Sequence, residues 1–105
     1  MVDLTRVTAG LTGSAQLVVG AVHTEPFVGS GLIAVLATPV MINVIEAAAL
    51  EAIEHLLPAG HQSLGFHLDV SHVAATPVGL QITATAEVVR VQGRTVTFRV
   101  EAREI

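Results

Sequence analysis

The chain has 105 residues, which leaves room for one domain and one core. Hydrophobic residues make up 51% and charged residues only 13%, with a mean hydropathy of +0.68; a chain this short buries about 60–65% of its unfolded surface. That excess calls for either a membrane segment or an apolar surface covered by another chain. A net charge of −4 and the absence of lysine argue against nucleic acid or an anionic membrane as partner. With 0 cysteines, disulfides and thiolate metal sites are excluded.

Residues 1–10 show no hydrophobic period and are expected to form an N-terminal arm within one domain spanning 1–105. They hold no apolar run of the secretory kind, and the expected location is cytoplasmic. Leu11 to Val19, rich in Thr, Val and Leu and stopped by Gly20, predicts a first strand. Ala21 to Gly31, with Pro26, Gly29 and Gly31, predicts a loop or short irregular element. Pro26 to Ile45 runs 20 residues without a charge, the length of a bilayer span. Yet Gly29-Ser30-Gly31 breaks its start, Pro39 sits inside it, and no Lys or Arg flanks it. A helix buried in a soluble domain accounts for it better.

Thr38-Pro39 places an N-cap residue before a proline at the first helical position. Helix-favouring residues continue to Leu57, and Pro58-Ala59-Gly60 ends the element. Val40 to Leu50 is apolar on nearly every side, the pattern of a central buried helix. From Leu64 the period is two: Leu64, Phe66, Leu68, Val70 and His72 alternate with Gly65, His67, Asp69 and Ser71. Ala74 to Gly79 is a connection. Ile82, Ala84, Ala86 and Val88 then share a face, Gln92-Gly93 is placed to turn a hairpin, and Val96, Phe98, Val100 and Ala102 return. The class is α+β, with one long helix covering one face of an antiparallel sheet. The apolar surface left over on the helix and the sheet's edge imply a second copy of the chain.

Three polar residues stand where the pattern asks for apolar ones. Glu46 is the only charge between Glu25 and Glu51 and falls in the most apolar stretch of the helix. An unpaired buried carboxylate is costly, so it is expected to be paired, to be neutral, or to line a cavity. A general base or weak nucleophile and a structural carboxylate bonded to Asn43 or backbone are both open readings. His72 takes the fifth place on the apolar face of its strand, facing the helix, either as a satisfied core residue or as a partner for Glu46. Thr38 is explained by capping, although a helix N-terminus also suits a carbonyl oxygen or phosphate. Eight residues of helix put Thr38 and Glu46 about 12 Å apart, too far to touch each other. His23, His55, His61 and His67 show no metal-ligand spacing. Gly29-Ser30-Gly31 lacks the lysine of a phosphate loop. Arg90, Arg94, Arg99 and Arg103 cluster on the last hairpin, as a solvated face or a site for acidic groups.

Leu36-Ala37-Thr38-Pro39 with Glu46, together with the run Gly65-Phe66-His67-Leu68-Asp69-Val70-Ser71-His72-Val73-Ala74-Ala75-Thr76-Pro77-Val78-Gly79, resembles the fluoroacetyl-CoA thioesterase-like branch of the hotdog family. The likeness covers roughly residues 11–103. It implies a dimeric hotdog acyl-CoA thioesterase with a Thr/Glu/His site at Thr38, Glu46 and His72, and with Gly65 near the thioester. Glu46 would attack the thioester or activate water, His72 would relay protons, and Thr38 with a backbone N–H near Gly65 would hold the acyl oxygen. No cofactor is implied beyond coenzyme A as part of the substrate, and neither nucleic acid nor membrane is an expected partner. Similar proteins carry one further strand after the position of Ile105; here that place is expected to be empty, filled by another chain, or supplied by a longer protein. The competing functions are a non-catalytic hotdog module that binds acyl-CoA or another apolar ligand, and a purely structural assembly domain.

Overall fold

The structure, a computed structural model, describes residues 3–29 and 31–104. Strand β1 spans Thr12–Val18, a short helix α1 spans Glu25–Val28, and the long helix α2 spans Thr38–Ile53. Strands β2 (Gln81–Gln92) and β3 (Thr95–Glu104) follow. The sheet is antiparallel in the order β1-β2-β3, with Ala15 opposite Ala84 and Ala84 opposite Ala102. Every strand alternates as its sequence predicts. Ile82, Ala84, Ala86 and Val88 are buried beneath α2, while Thr12, Thr85, Arg99 and Glu101 face outward and are exposed. A bulge at Val89 restores the inward face of Val91 to the core before the turn. The two-residue turn is Gly93-Arg94, one residue later than Gln92-Gly93, because Gln92 still pairs with Thr95. Gly93 supplies the positive φ of 60° that the first central position of such a turn demands.

One face of α2 carries the core. Met41, Val44, Ile45 and Ala48 pack on Ile82, Ala84 and Ala86, and Ala52 and Ile53 pack on Val88. The helix lies so close to β1 that a Cβ at Gly13 would come within 2.5 Å of the Ala52 backbone nitrogen. The Glu51 carboxylate accepts the Ser14 N–H at 3.1 Å, which ties the helix to the open edge of β1. Residues 3–10 are not a loose arm: Val7 is 3% exposed in the cluster around Val88, and Gly10 N–H donates to the Val88 carbonyl at 2.8 Å.

Three expectations are corrected. The Glu46 face of the helix, expected to be buried, carries exposed Asn43, Glu46, Ala47 and Leu50, because the sheet covers a single face and among the described residues no second layer lies on the other. Thr38 is not the cap but the first helical residue, with Ala37 at the N-cap in extended conformation. Residues 64–72 form no strand: among the described residues the sheet is β1-β2-β3, and this segment is held along α2 instead, with Gly65 beside Glu46 and His72 bonded to Thr38. Leu64 and Phe66 in that segment stand 88% and 79% exposed.

The dimensions record the same incomplete cover. The radius of gyration is 15.0 Å, against about 13 Å for a compact domain of this length. The accessible surface is 6891 Å², roughly 1,300 Å² more than a compact monomer of this mass presents.

Candidate active site

The site grows from a small backbone ladder in front of α2. Leu36 N–H donates to the Thr76 carbonyl at 2.8 Å, Glu25 N–H to the Val35 carbonyl at 2.9 Å, and Ala37 N–H to the His23 carbonyl at 2.8 Å. Three distant stretches are thereby fixed side by side: residues 23–25, 35–37 and 76–77. Leu36, 1% exposed, anchors the ladder in the core. Thr38 leaves the ladder two residues after Leu36, and His72 enters it four residues before Thr76.

The consequence is a contact across 34 residues of sequence. Thr38 Oγ1 and His72 Nδ1 form a hydrogen bond of 2.7 Å, with both side chains half-buried. The ring tautomer decides which atom donates. Because Thr38 does not cap the helix, its hydroxyl is available to the imidazole, which corrects the capping explanation of this residue.

From His72 the unpaired segment runs back along α2, antiparallel to it, towards Gly65. There the Glu46 carboxylate lies alongside: a Cβ on Gly65 would sit 3.6 Å from Oε2 and 3.8 Å from Oε1. The four residues therefore form two contacts, Thr38 with His72 and Glu46 with Gly65, spaced by two turns of helix. The expected Glu46–His72 pair is not formed; among the described residues neither an ion pair nor a hydrogen bond joins them. The expected burial of Glu46 is also overturned in the single protomer, where the residue is exposed. The reason is the position of residues 61–75, which border α2 without roofing it.

Two surface depressions, of about 540 and 350 Å³, lie elsewhere, one around Ser14, Glu51 and Glu101, the other around His23, Val40 and Ala47. Neither includes Thr38, Glu46, Gly65 or His72. Among the described residues no group of three or more His, Cys, Asp or Glu could hold a metal ion, and no helix is long and apolar enough to cross a membrane. Sequence reasoning missed Glu25, whose carboxylate accepts the Thr38 N–H at 3.4 Å; an isolated acid ahead of a proline carries no local signal of that role.

The long helix on an antiparallel sheet is a hotdog fold, an architecture the chain shares with solved thioesterases. Residues 19–104 match the family described as FlK, fluoroacetyl-CoA-specific thioesterase, and the chain belongs to that family. It is 43% identical over 70 residues to the fluoroacetyl-CoA thioesterase of Streptantibioticus cattleyicolor, a stretch covering 67% of this chain and 50% of that protein. The chain thus spans about half the length of the curated relative it matches. The crystal structure of the fluoroacetyl-CoA thioesterase FlK superposes with a TM-score of 0.86 at 33% identity, over 94% of this chain and 81% of that one. A phenylalanine-to-alanine variant of FlK in complex with fluoroacetate and CoA superposes at 0.83, also at 33% identity, over 94% and 87% of the two chains. A Thermus thermophilus hypothetical protein, a thioesterase superfamily member, superposes at 0.85 with 26% identity, over 93% and 72%.

Proposed function

We propose that this chain hydrolyses a small acyl-CoA thioester to the acid and free coenzyme A, using Thr38, Glu46 and His72, with Gly65 beside the thioester. The observation that carries the reading is the 2.7 Å Thr38–His72 hydrogen bond formed at the start of the helix that also bears Glu46. Membership of a family described as a thioesterase supports it.

The roles follow from reach. The Glu46 carboxylate, against the Gly65 backbone, is the group to attack the thioester carbonyl or to take a proton from water. Gly65 lets a planar thioester approach the backbone there, and its lack of a side chain keeps the Glu46 oxygens accessible. The Thr38 hydroxyl, held by His72, is the group to hold the acyl oxygen as charge develops on it; because Thr38 and Glu46 of one protomer lie about 12 Å apart, it does so for a thioester at the Glu46 of a second copy. His72 passes to the departing thiolate the proton that water gives up on attack; where Glu46 attacks first, water then cleaves the acyl–Glu46 anhydride, releasing the acid and freeing the carboxylate. Coenzyme A enters as part of the substrate.

The catalytic arrangement is completed in a homodimer. A second copy laid over residues 64–73 would cover Leu64, Phe66 and Val73, which are 88%, 79% and 88% exposed, and would shield Glu46 from water. The excess surface of roughly 1,300 Å² exceeds the 800 Å² or so that each partner contributes to a standard interface.

The test is release of thiol from acetyl-CoA by the wild type, Glu46→Gln and His72→Ala. The chain has no cysteine, so a thiol-reactive dye reports coenzyme A alone. Turnover lost in both variants supports the mechanism; equal rates in all three proteins remove it. The exposure of Glu46 in the single protomer favours one second reading, a non-catalytic hotdog module that binds acyl-CoA or another apolar ligand. That module would be stabilised thermally by acetyl-CoA without turning it over.

A further inference from the structure

Helix α2 begins with an unusual account of its N–H groups. Four are left without intrahelical partners at the start of any helix. Here Ala37 donates to the His23 carbonyl at 2.8 Å, Pro39 has none to offer, and Val40 donates to the Ala37 carbonyl at 3.1 Å. The N–H of Thr38 remains. No side chain at the N-cap accepts it, since that residue is Ala37. Its acceptor is Oε1 of Glu25 at 3.4 Å, 13 residues earlier in the chain.

The other oxygen of the same carboxylate is used as well. Glu25 Oε2 accepts the Gly31 N–H at 3.2 Å. The loop is shaped around it: a Cβ on Gly29 would collide with the carboxylate, and one on Gly31 would come within 3.3 Å of the Glu25 Cβ. Glycine at these two positions lets the backbone wrap the acid closely. Glu25 is itself held by its backbone, its N–H donating to Val35. One half-buried carboxylate therefore clamps the loop before α2 to the first residue of the helix, and that residue is the partner of His72.

We propose that Glu25 is a positioning residue for the Thr38–His72 pair: by accepting the Thr38 N–H while gripping Gly31, it fixes the helix start at the place where the threonine hydroxyl meets Nδ1. Its effect on rate rests on the thioesterase reading; its effect on the hydrogen bond does not. An amide at this position keeps the volume but offers one acceptor oxygen instead of two, so Glu25→Gln must release either Thr38 or Gly31. Alanine releases both.

The experiment uses the full chain, with ¹⁵N-labelled histidine, in four forms: wild type, Glu25→Gln, Glu25→Ala and Thr38→Ala, plus the double variant Glu25→Ala/Thr38→Ala. The His72 Nδ1 resonance in Glu25→Ala is expected to move to the position it takes in Thr38→Ala, with Glu25→Gln between that and wild type. With acetyl-CoA, kcat is expected to fall roughly ten- to a hundredfold in Glu25→Ala, as misplacement of a reacting group does, while KM stays within about twofold. The double variant is expected to be no slower than Thr38→Ala alone. A His72 resonance unmoved in both Glu25 variants overturns the proposal, as does a double variant in which the losses multiply. Should Glu25→Ala fail to fold, the volume-conserving Glu25→Gln decides by the same resonance. If the wild type turns nothing over, the thioesterase reading fails while the resonance still decides the role of Glu25.

Discussion

Thr38 Oγ1 and His72 Nδ1 stand 2.7 Å apart although 34 residues separate them, and neither side chain has another hydrogen-bond partner among the described residues. Such an exclusive pair behaves as one unit under mutation. His72→Ala is expected to lower thiol release by about 10²- to 10⁴-fold, the usual share of a positioned proton-transfer group. Thr38→Val, which keeps the volume and removes the hydroxyl, is expected to cost less. Combined, the two substitutions are expected to be no worse than His72→Ala alone, which a double-mutant cycle on kcat/KM measures.

Glu46 offers a clean separation of activity from stability. It is exposed in the protomer and forms neither an ion pair nor a hydrogen bond among the described residues. Surface substitutions of that kind change stability by no more than about 0.5 kcal/mol. In the Phe66→Asp background, where no second copy covers it, Glu46→Gln is therefore expected to leave the denaturant midpoint unchanged, while in the otherwise wild-type chain it loses at least about a hundredfold in kcat. A large loss of stability in this variant would mark the carboxylate as structural.

Gly13 tests the close approach of α2 to the sheet. Its Cα faces the helix backbone, so an added methyl would press on Ala52 at 2.5 Å and on the Glu51 carboxylate. Backbone does not yield as a side-chain tip does, and overpacking of this kind costs about 1–3 kcal/mol. For a domain of this size, each kcal/mol lowers Tm by about 4–8 °C. Gly13→Ala is expected to show that drop by calorimetry or circular dichroism.

Phe66 tests the homodimer. It is 79% exposed, in a segment that belongs to no strand. Phe66→Asp removes nothing from the protomer's own core but would place a charge against the second copy, where an unpaired buried carboxylate is costly. Sedimentation is expected to find the wild type as a dimer and the variant as a monomer. An unshifted dimer would move the interface to another face.

The local elements were legible from the order of residues because periodicity is a near-neighbour property. The alternation through Ile82–Val88 and Val96–Ala102 and the strand ahead of Gly20 report which residues face one way, whereas α2 ends at Ile53, ahead of the expected stop at Pro58, and passes into a 3-10 turn over Glu54–Leu56. Thr38, Glu46, Gly65 and His72 are singled out by odd polar residues in an apolar pattern and by resemblance to a family, and their roles stand as a proposal. Contacts between distant stretches were not legible. Nothing in the chain around Thr38 says that its hydroxyl will serve His72 rather than the helix, because that depends on the Leu36–Thr76 backbone bond. Nor does the alternation of residues 64–72 say whether a neighbouring edge exists to complete a ladder. Exposure of Glu46 follows from the same cause: a helix's apolar stripes are written in sequence, but which stripe a sheet covers is decided by where the strands end up. Tertiary structure alone made that choice, and with it recruited Glu25 to the start of the helix.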